Sequence, residues 1–151
     1  MNRTSSRTTV AVVGTILAVG LTACGSSSSS GSGGLTVSQF KAKANAICAA
    51  GNADIKKIGQ GISASSSQTQ VVAALHQAAI RANREVSDIR KLQIPSSIAH
   101  DVDAMLASVN TATAKILSGG IEVLSGADPF TDADAKAKAL GLDKCESGSG
   151  T

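Results

Sequence analysis

Three stretches of this 151-residue chain repeat an apolar residue at steps of three and four, and no stretch of useful length alternates apolar with polar. The first stripe runs Phe40, Ala44, Ile47, Gly51, Ile55, Ile58 and Ile62. The second runs Val72, Leu75, Ala79, Ala82, Val86, Ile89 and Gln93, and the third Ile98, Val102, Met105, Val109, Ala112 and Ile116. Such steps keep side chains on one face of a helix of about 3.6 residues per turn, whereas a half-buried strand needs a period of two. Thr36 or Ser38 can cap the first helix, and Ala44, Cys48 and Gly51 give it a face of small residues that another segment can approach closely. Gly59 and Gly61 weaken its end, and Ser65-Ser66-Ser67 marks a turn. Pro95 stops the second helix by pushing the preceding residue out of the α region. Gly119-Gly120 ends the third.

A shorter fourth helix follows. Asp128 is placed to cap it with Pro129 at its first position, Asp132 and Asp134 early and Lys136 and Lys138 late, as the helix dipole favours. Gly141 reads as its left-handed terminus, with Leu142 able to fold back on the last turn. The segment Gly120 to Ala127 reads either as a loop with apolar contacts or as one more helical turn. The pattern predicts an all-α fold, an antiparallel up-down-up-down four-helix bundle.

The first residues carry an address. Arg3 and Arg7 precede Val10 to Leu21, an uncharged run too short for a bilayer span, which needs roughly 20 residues. Leu21-Thr22-Ala23-Cys24 resembles the lipobox of bacterial lipoproteins. The resemblance implies that residues 1–23 leave as a signal peptide and that the Cys24 thiol carries a diacylglyceryl group. Several acyl chains on one residue suffice for stable anchoring, where a single chain is marginal. Gly25 to Gly34 contains only Gly and Ser, so residues 24–34 form a flexible tether with a reach of about 17 Å. A helical domain over 35–145 and a flexible tail over 146–151 complete the expected organisation.

Of the three cysteines, lipid on Cys24 leaves Cys48 and Cys145. In an exported chain these two are expected to form a disulfide. Closing a loop of roughly 100 residues stabilises by about 4–5 kcal/mol in the chain-entropy account. Phe40-x-x-x-Ala44-Asn45-x-Ile47-Cys48, the Leu92-x-x-Pro95 segment and Ala139-Leu140-Gly141-Leu142-x-x-Cys145 together resemble a family of small actinobacterial secreted proteins and lipoproteins of undetermined function. That resemblance implies the same pairing of cysteines and supplies no catalytic residue.

Composition narrows the function classes. Loss of Arg3 and Arg7 with the signal leaves 12 basic residues of the 14 against 11 acidic ones, a net of +1. Phe40 and Phe130 are the only aromatic residues, so the chain lacks the basic, aromatic-studded face that stacks nucleic-acid bases or sugars. No nucleic-acid partner is expected. His76, and His100 beside Asp101 and Asp103, are the only histidines, and they read as solvated polar residues. Met105 reads as core. Arg81 and Glu85, Arg84 and Asp88, Asp132 and Lys136, and Asp134 and Lys138 are spaced i, i+4 as pairs on solvated faces. No nucleophile elbow or phosphate-cradling loop is present, so no catalytic residue, metal or cofactor is expected.

The leading expectation is a non-enzymatic module on the extracytoplasmic face of the cell membrane, meeting an envelope protein or a cell-wall component within reach of its tether. The alternative is a carrier of a small apolar ligand, lipid or haem, held between helices. Cys24→Ser should leave an uncut precursor or release the protein from the membrane fraction. A variant that still carries lipid and fractionates as the wild type contradicts the anchor.

Overall fold

The structure is a computed structural model and describes residues 34–148. The expected signal peptide, Cys24, nearly all of the tether and residues 149–151 lie outside the described residues. Four helices form: α1 (Val37–Gln60), α2 (Gln68–Arg90), α3 (Ala99–Gly119) and α4 (Thr131–Leu140). Short 3₁₀ turns occupy Gly120–Ser125 and Asp143–Cys145, so the ambiguous segment after α3 is helical for six residues. Among the described residues no helix is long and apolar enough to cross a membrane.

The helix starts follow local chemistry. The Thr36 hydroxyl accepts the Gln39 N–H at 3.2 Å while the Gln39 side chain accepts the Thr36 N–H at 3.0 Å. Ser67 and Gln70 repeat this reciprocal box at the start of α2, at 3.3 and 2.8 Å. Each box satisfies N–H groups that the helix itself leaves without acceptors. The start of α4 differs from the expectation. The Asp128 carboxylate accepts the Phe130 N–H at 2.9 Å, closing a turn before the helix, and the helical ladder begins only at Thr131. At the other end Gly141 adopts φ 67°, a left-handed conformation that only glycine takes up at little cost. Leu142 then donates its N–H back to the Ala137 carbonyl at 2.9 Å and is fully buried.

Neighbouring helices run antiparallel in a four-helix bundle. Asp54 of α1 meets Arg81 of α2, Asn83 of α2 meets Thr113 of α3, and Ser108 of α3 meets Asp132 of α4. Their shared core contains Phe40, Ala44 and Cys48, then Val86 and Ile89, then Val102, Met105 and Leu106, and finally Ala137, Leu140 and Leu142. The stripes therefore face inward, except for Gln93, which lies beyond α2 and is exposed, and Leu106 and Thr113 are buried beside them. Thr113 satisfies its hydroxyl by donating to the Asn83 side chain at 2.8 Å.

The fourth side is closed differently from the other three. At 10 residues α4 spans about 15 Å, against roughly 31–36 Å for helices of 21 to 24 residues. It packs along α3, and the 3₁₀ turn after it is what lies against the α1 backbone. Three ties hold this C-terminal strap. Cys48 and Cys145 form a disulfide with Cα atoms 4.9 Å apart. Asn45 accepts the Lys144 N–H at 3.0 Å and donates to the Gly141 carbonyl at 3.3 Å, and Asn52 donates to the Lys144 carbonyl at 2.8 Å. Beyond Cys145, Ser147 donates its N–H to the Asp134 carboxylate at 2.7 Å, so the segment expected to be a flexible tail is held as far as Ser147.

Replacing both Cys48 and Cys145 with Ser should cost about 2–5 kcal/mol, lowering the melting temperature by roughly 8 °C or more. Thermal melts followed by circular dichroism check this. A double variant that melts within a degree or two of the wild type contradicts the clasp.

Candidate functional site

Because α4 begins level with Ser108, the half of the bundle nearest the end of α3 lacks a fourth helix. A cleft of about 150 Å³ runs from beneath the start of α4 and the disulfide into that place. Its α2 wall includes the small residues Ala78, Ala79 and Ala82, which leave room that larger side chains would fill, followed by Glu85, Val86 and Ile89. Met105, Val109 and Ile116 of α3 and Ile55 of α1 face it. The disulfide, with Ser147 and Gly148 of the strap and Phe130 before α4, completes the lining. The cleft is mostly apolar, with Asn52, Ser147 and Glu85 as its polar side chains. Glu85 is the only ionisable residue in its lining.

Glu85 sits where two helices touch. The Gly51 Cα lies so close that a Cβ built there would come within 1.8 Å of the Glu85 Oε1. Any larger residue at position 51 would displace the carboxyl group. The Glu85 side chain is only 12% exposed, and Oε1 is buried without a hydrogen-bond partner. Its one ionic neighbour is the Arg81 guanidinium, whose Nη1 is 3.6 Å away, too far for a hydrogen bond. Arg81 is engaged elsewhere, its Nε donating to Asp54 at 3.0 Å. Burial pushes the Glu85 carboxyl up to about 7, opposed by Arg81 and reinforced by the negative charges of Asp54 and Asp88. Asp54 itself is held below the usual carboxylate range, chiefly by its hydrogen bond from Arg81 and then by Lys57. Lys91 does the same for Asp88.

The residues singled out from the sequence scatter otherwise. Cys48 and Cys145 come together and both line the cleft; Cys24 lies outside the described residues. His100 and Asp103 are exposed. His76 lies in the early part of α2 and His100 at the start of the antiparallel α3, so the hairpin separates them by roughly 20 Å of helix length. They do not form a ligand pair, and neither lines the cleft. Among the described residues no three His, Cys, Asp or Glu side chains cluster as metal ligands would. Met105 is buried core, as expected.

Of the four spaced ion pairs, Arg81–Glu85 and Asp132–Lys136 form. Asp88 pairs with Lys91, three residues on, and Asp134 takes the strap hydrogen bonds of Ser147. The spacing makes Glu85 half of a solvated pair, whereas in the structure it is buried against Gly51. The signal that finds it is the edge of the second stripe: Ala78, Ala82, Glu85 and Ile89 also recur at steps of four and three. Gly51 opposite supplies the necessary gap. No family model, curated protein or solved structure matches the chain.

Glu85 makes stability depend on pH with a definite sign. Its carboxyl rises from 4.5 in the unfolded chain to about 7 in the fold, so the folded state binds the proton more tightly. The stabilisation is complete below about 4.5 and is lost as pH rises through about 7, a total of about 3 kcal/mol. Asp54, Asp88 and Asp132 act in the opposite sense at lower pH, because their folded values are depressed. Denaturant unfolding of wild type and Glu85→Gln at pH 4.5 and pH 8 should show the variant gaining relative stability at pH 8. Parallel pH profiles contradict the burial of an unpartnered carboxyl.

Proposed function

We propose that the protein is a lipid-tethered, extracytoplasmic binding module without catalytic activity, and that its cleft holds a small, largely apolar ligand. The observation that carries this reading is the apolar cleft beside the short fourth helix, about 150 Å³ in volume. An apolar cavity of that order accommodates a molecule the size of benzene. Haem and diacyl lipids need pockets of several hundred Å³, so the volume favours a smaller occupant than either.

Two further observations support a ligand over a macromolecular partner. The large apolar side chains exposed among the described residues are Ile80, Leu117 and Leu124. Three side chains supply a small part of the roughly 800 Å² per partner that a stable protein interface buries. The cleft also lies along the second half of α1, at Asn52 and Ile55, roughly 20–27 Å of helix from the end where the tether joins. A ligand can therefore enter without passing the tethered end. A membrane anchor would keep such a module concentrated at the envelope surface, and the Gly/Ser tether would let it turn freely there.

Ala82→Leu places extra carbon atoms in the cleft. Saturation-transfer NMR with toluene should show binding to the wild type and at least a tenfold loss in the variant. The variant's melting temperature should hold or rise, since filling a cavity typically adds about 0.5–2 kcal/mol. A folded Ala82→Leu protein that binds toluene as the wild type does contradicts this use of the cleft.

A further inference from the structure

We propose that the ligand is a small amine, with a compact apolar body seated between Ala82, Met105 and Val109 and its ammonium group on the Glu85 carboxylate. The inference rests on the ligand-binding reading of the cleft and specifies the chemistry of what enters it. The geometry provides one acidic group in a mostly apolar lining, at the wall where α1 and α2 meet, with Asn52 and Ser147 as the other polar side chains. An apolar molecule alone would fill the volume and leave the buried Glu85 carboxyl group without a hydrogen-bond donor. A buried acceptor in that state is costly, and a ligand N–H relieves it. A charged N–H does so about twice as strongly as a neutral one.

The surrounding charges select the sign of the ligand. From α1 the carboxylate of Asp54 stands nearby, and from α2 Arg81 and Asp88. The cleft residues contributed by α3, the start of α4 and the strap carry no ionisable side chain. Among the described residues Arg81 is the cation paired with Glu85, and its Nε is committed to Asp54 at 3.0 Å, while Lys57 pairs with Asp54 and Lys91 with Asp88. A carboxylate ligand would face the Glu85 carboxylate in the cleft wall, with Asp54 and Asp88 adding negative charge from outside the lining. An ammonium would meet Glu85 as its counter-ion. Aromatic cages, the other common receptor for cations, are absent from this cleft, where Phe130 is the one aromatic lining residue.

Binding an ammonium requires Glu85 in its ionised form, so the site is linked to pH. Burial holds the empty carboxyl at about 7, and below that value an incoming ammonium must displace a proton. Affinity for an amine should therefore fall as the solution is acidified from pH 8 to pH 5. A neutral ligand of the same shape should bind equally at both.

Benzylamine and toluene share a ring and differ in the ammonium group, and the test compares them by NMR titration of the full chain. The expected result is benzylamine binding at least tenfold tighter than toluene at pH 8, a preference that shrinks at pH 5. In Glu85→Gln the preference should vanish while toluene binding persists. Equal affinities in the wild type, or a preference that ignores pH or survives in Glu85→Gln, overturn the amine assignment and leave the cleft reading intact. If the wild type binds neither molecule, the cleft reading fails with it. The pH comparison is made on the wild type alone, so it decides the amine question even if Glu85→Gln does not fold.

Discussion

The Cys48–Cys145 bond sets where the end of the chain meets α1, and the rest of the fourth side follows from it. A ten-residue helix cannot line a groove formed by helices twice as long. The remaining closure falls to a strap of about one turn, which on its own would have little to bury. Leu142 and Cys145 give it an apolar foot, and the side chains of Asn45 and Asn52 satisfy its backbone polar groups from α1. These hydrogen bonds hold only if the strap is already beside α1. The disulfide guarantees that, because it removes the alternative of a detached C-terminus. The covalent tie and the polar clasp are thus one device, and the extent of the strap decides how much of the bundle stays uncovered.

What stays uncovered has a consistent chemistry. A bundle whose groove is half open would normally collapse inward or present polar residues there. Here three alanines open part of the α2 wall, the α3 wall is apolar, and a single carboxyl is pressed into the notch that Gly51 leaves. Such a carboxyl lowers stability at neutral pH, and no packing requirement explains it, since a Gln or Leu could occupy the same space. A destabilising group retained beside a cavity is the pattern expected of a binding site, where the ligand completes what the fold leaves unsatisfied. Arg81 tempers the cost without removing it, because its stronger bond is to Asp54.

Much of the fold was legible in the residue pattern, for physical reasons. The three long stripes announce helices because burial of one face dictates where apolar residues recur. Gly141 followed by Leu142 announces the left-handed terminus because few other residues tolerate that backbone. The cysteine pair was legible on the expectation of an exported chain whose Cys24 is taken up by lipid. The start of α4 was misjudged by two residues, because the Asp128 side chain serves equally as a helix cap or as the closure of a preceding turn. The strap was harder to foresee. Ser147 looks like any tail residue until Asp134 is placed opposite it, and that is a tertiary fact. Glu85 was hardest, since its spacing from Arg81 fits an ordinary surface pair. Only the face it shares with Ala78, Ala82 and Ile89, taken with Gly51 on another helix, reveals its burial.

The central claim is that the short fourth helix leaves a stable apolar cleft with the Glu85 carboxyl in its wall. Diffraction from crystals of the protein held under xenon pressure tests it most directly, because xenon enters apolar cavities without needing any specific chemistry. The account predicts a xenon site between Ala82 of α2 and Met105 and Val109 of α3, with the Glu85 carboxyl against Gly51 at its edge. A bundle in which α1 and α3 close over the alanines, with no xenon between them and Glu85 turned out into solvent, would contradict it.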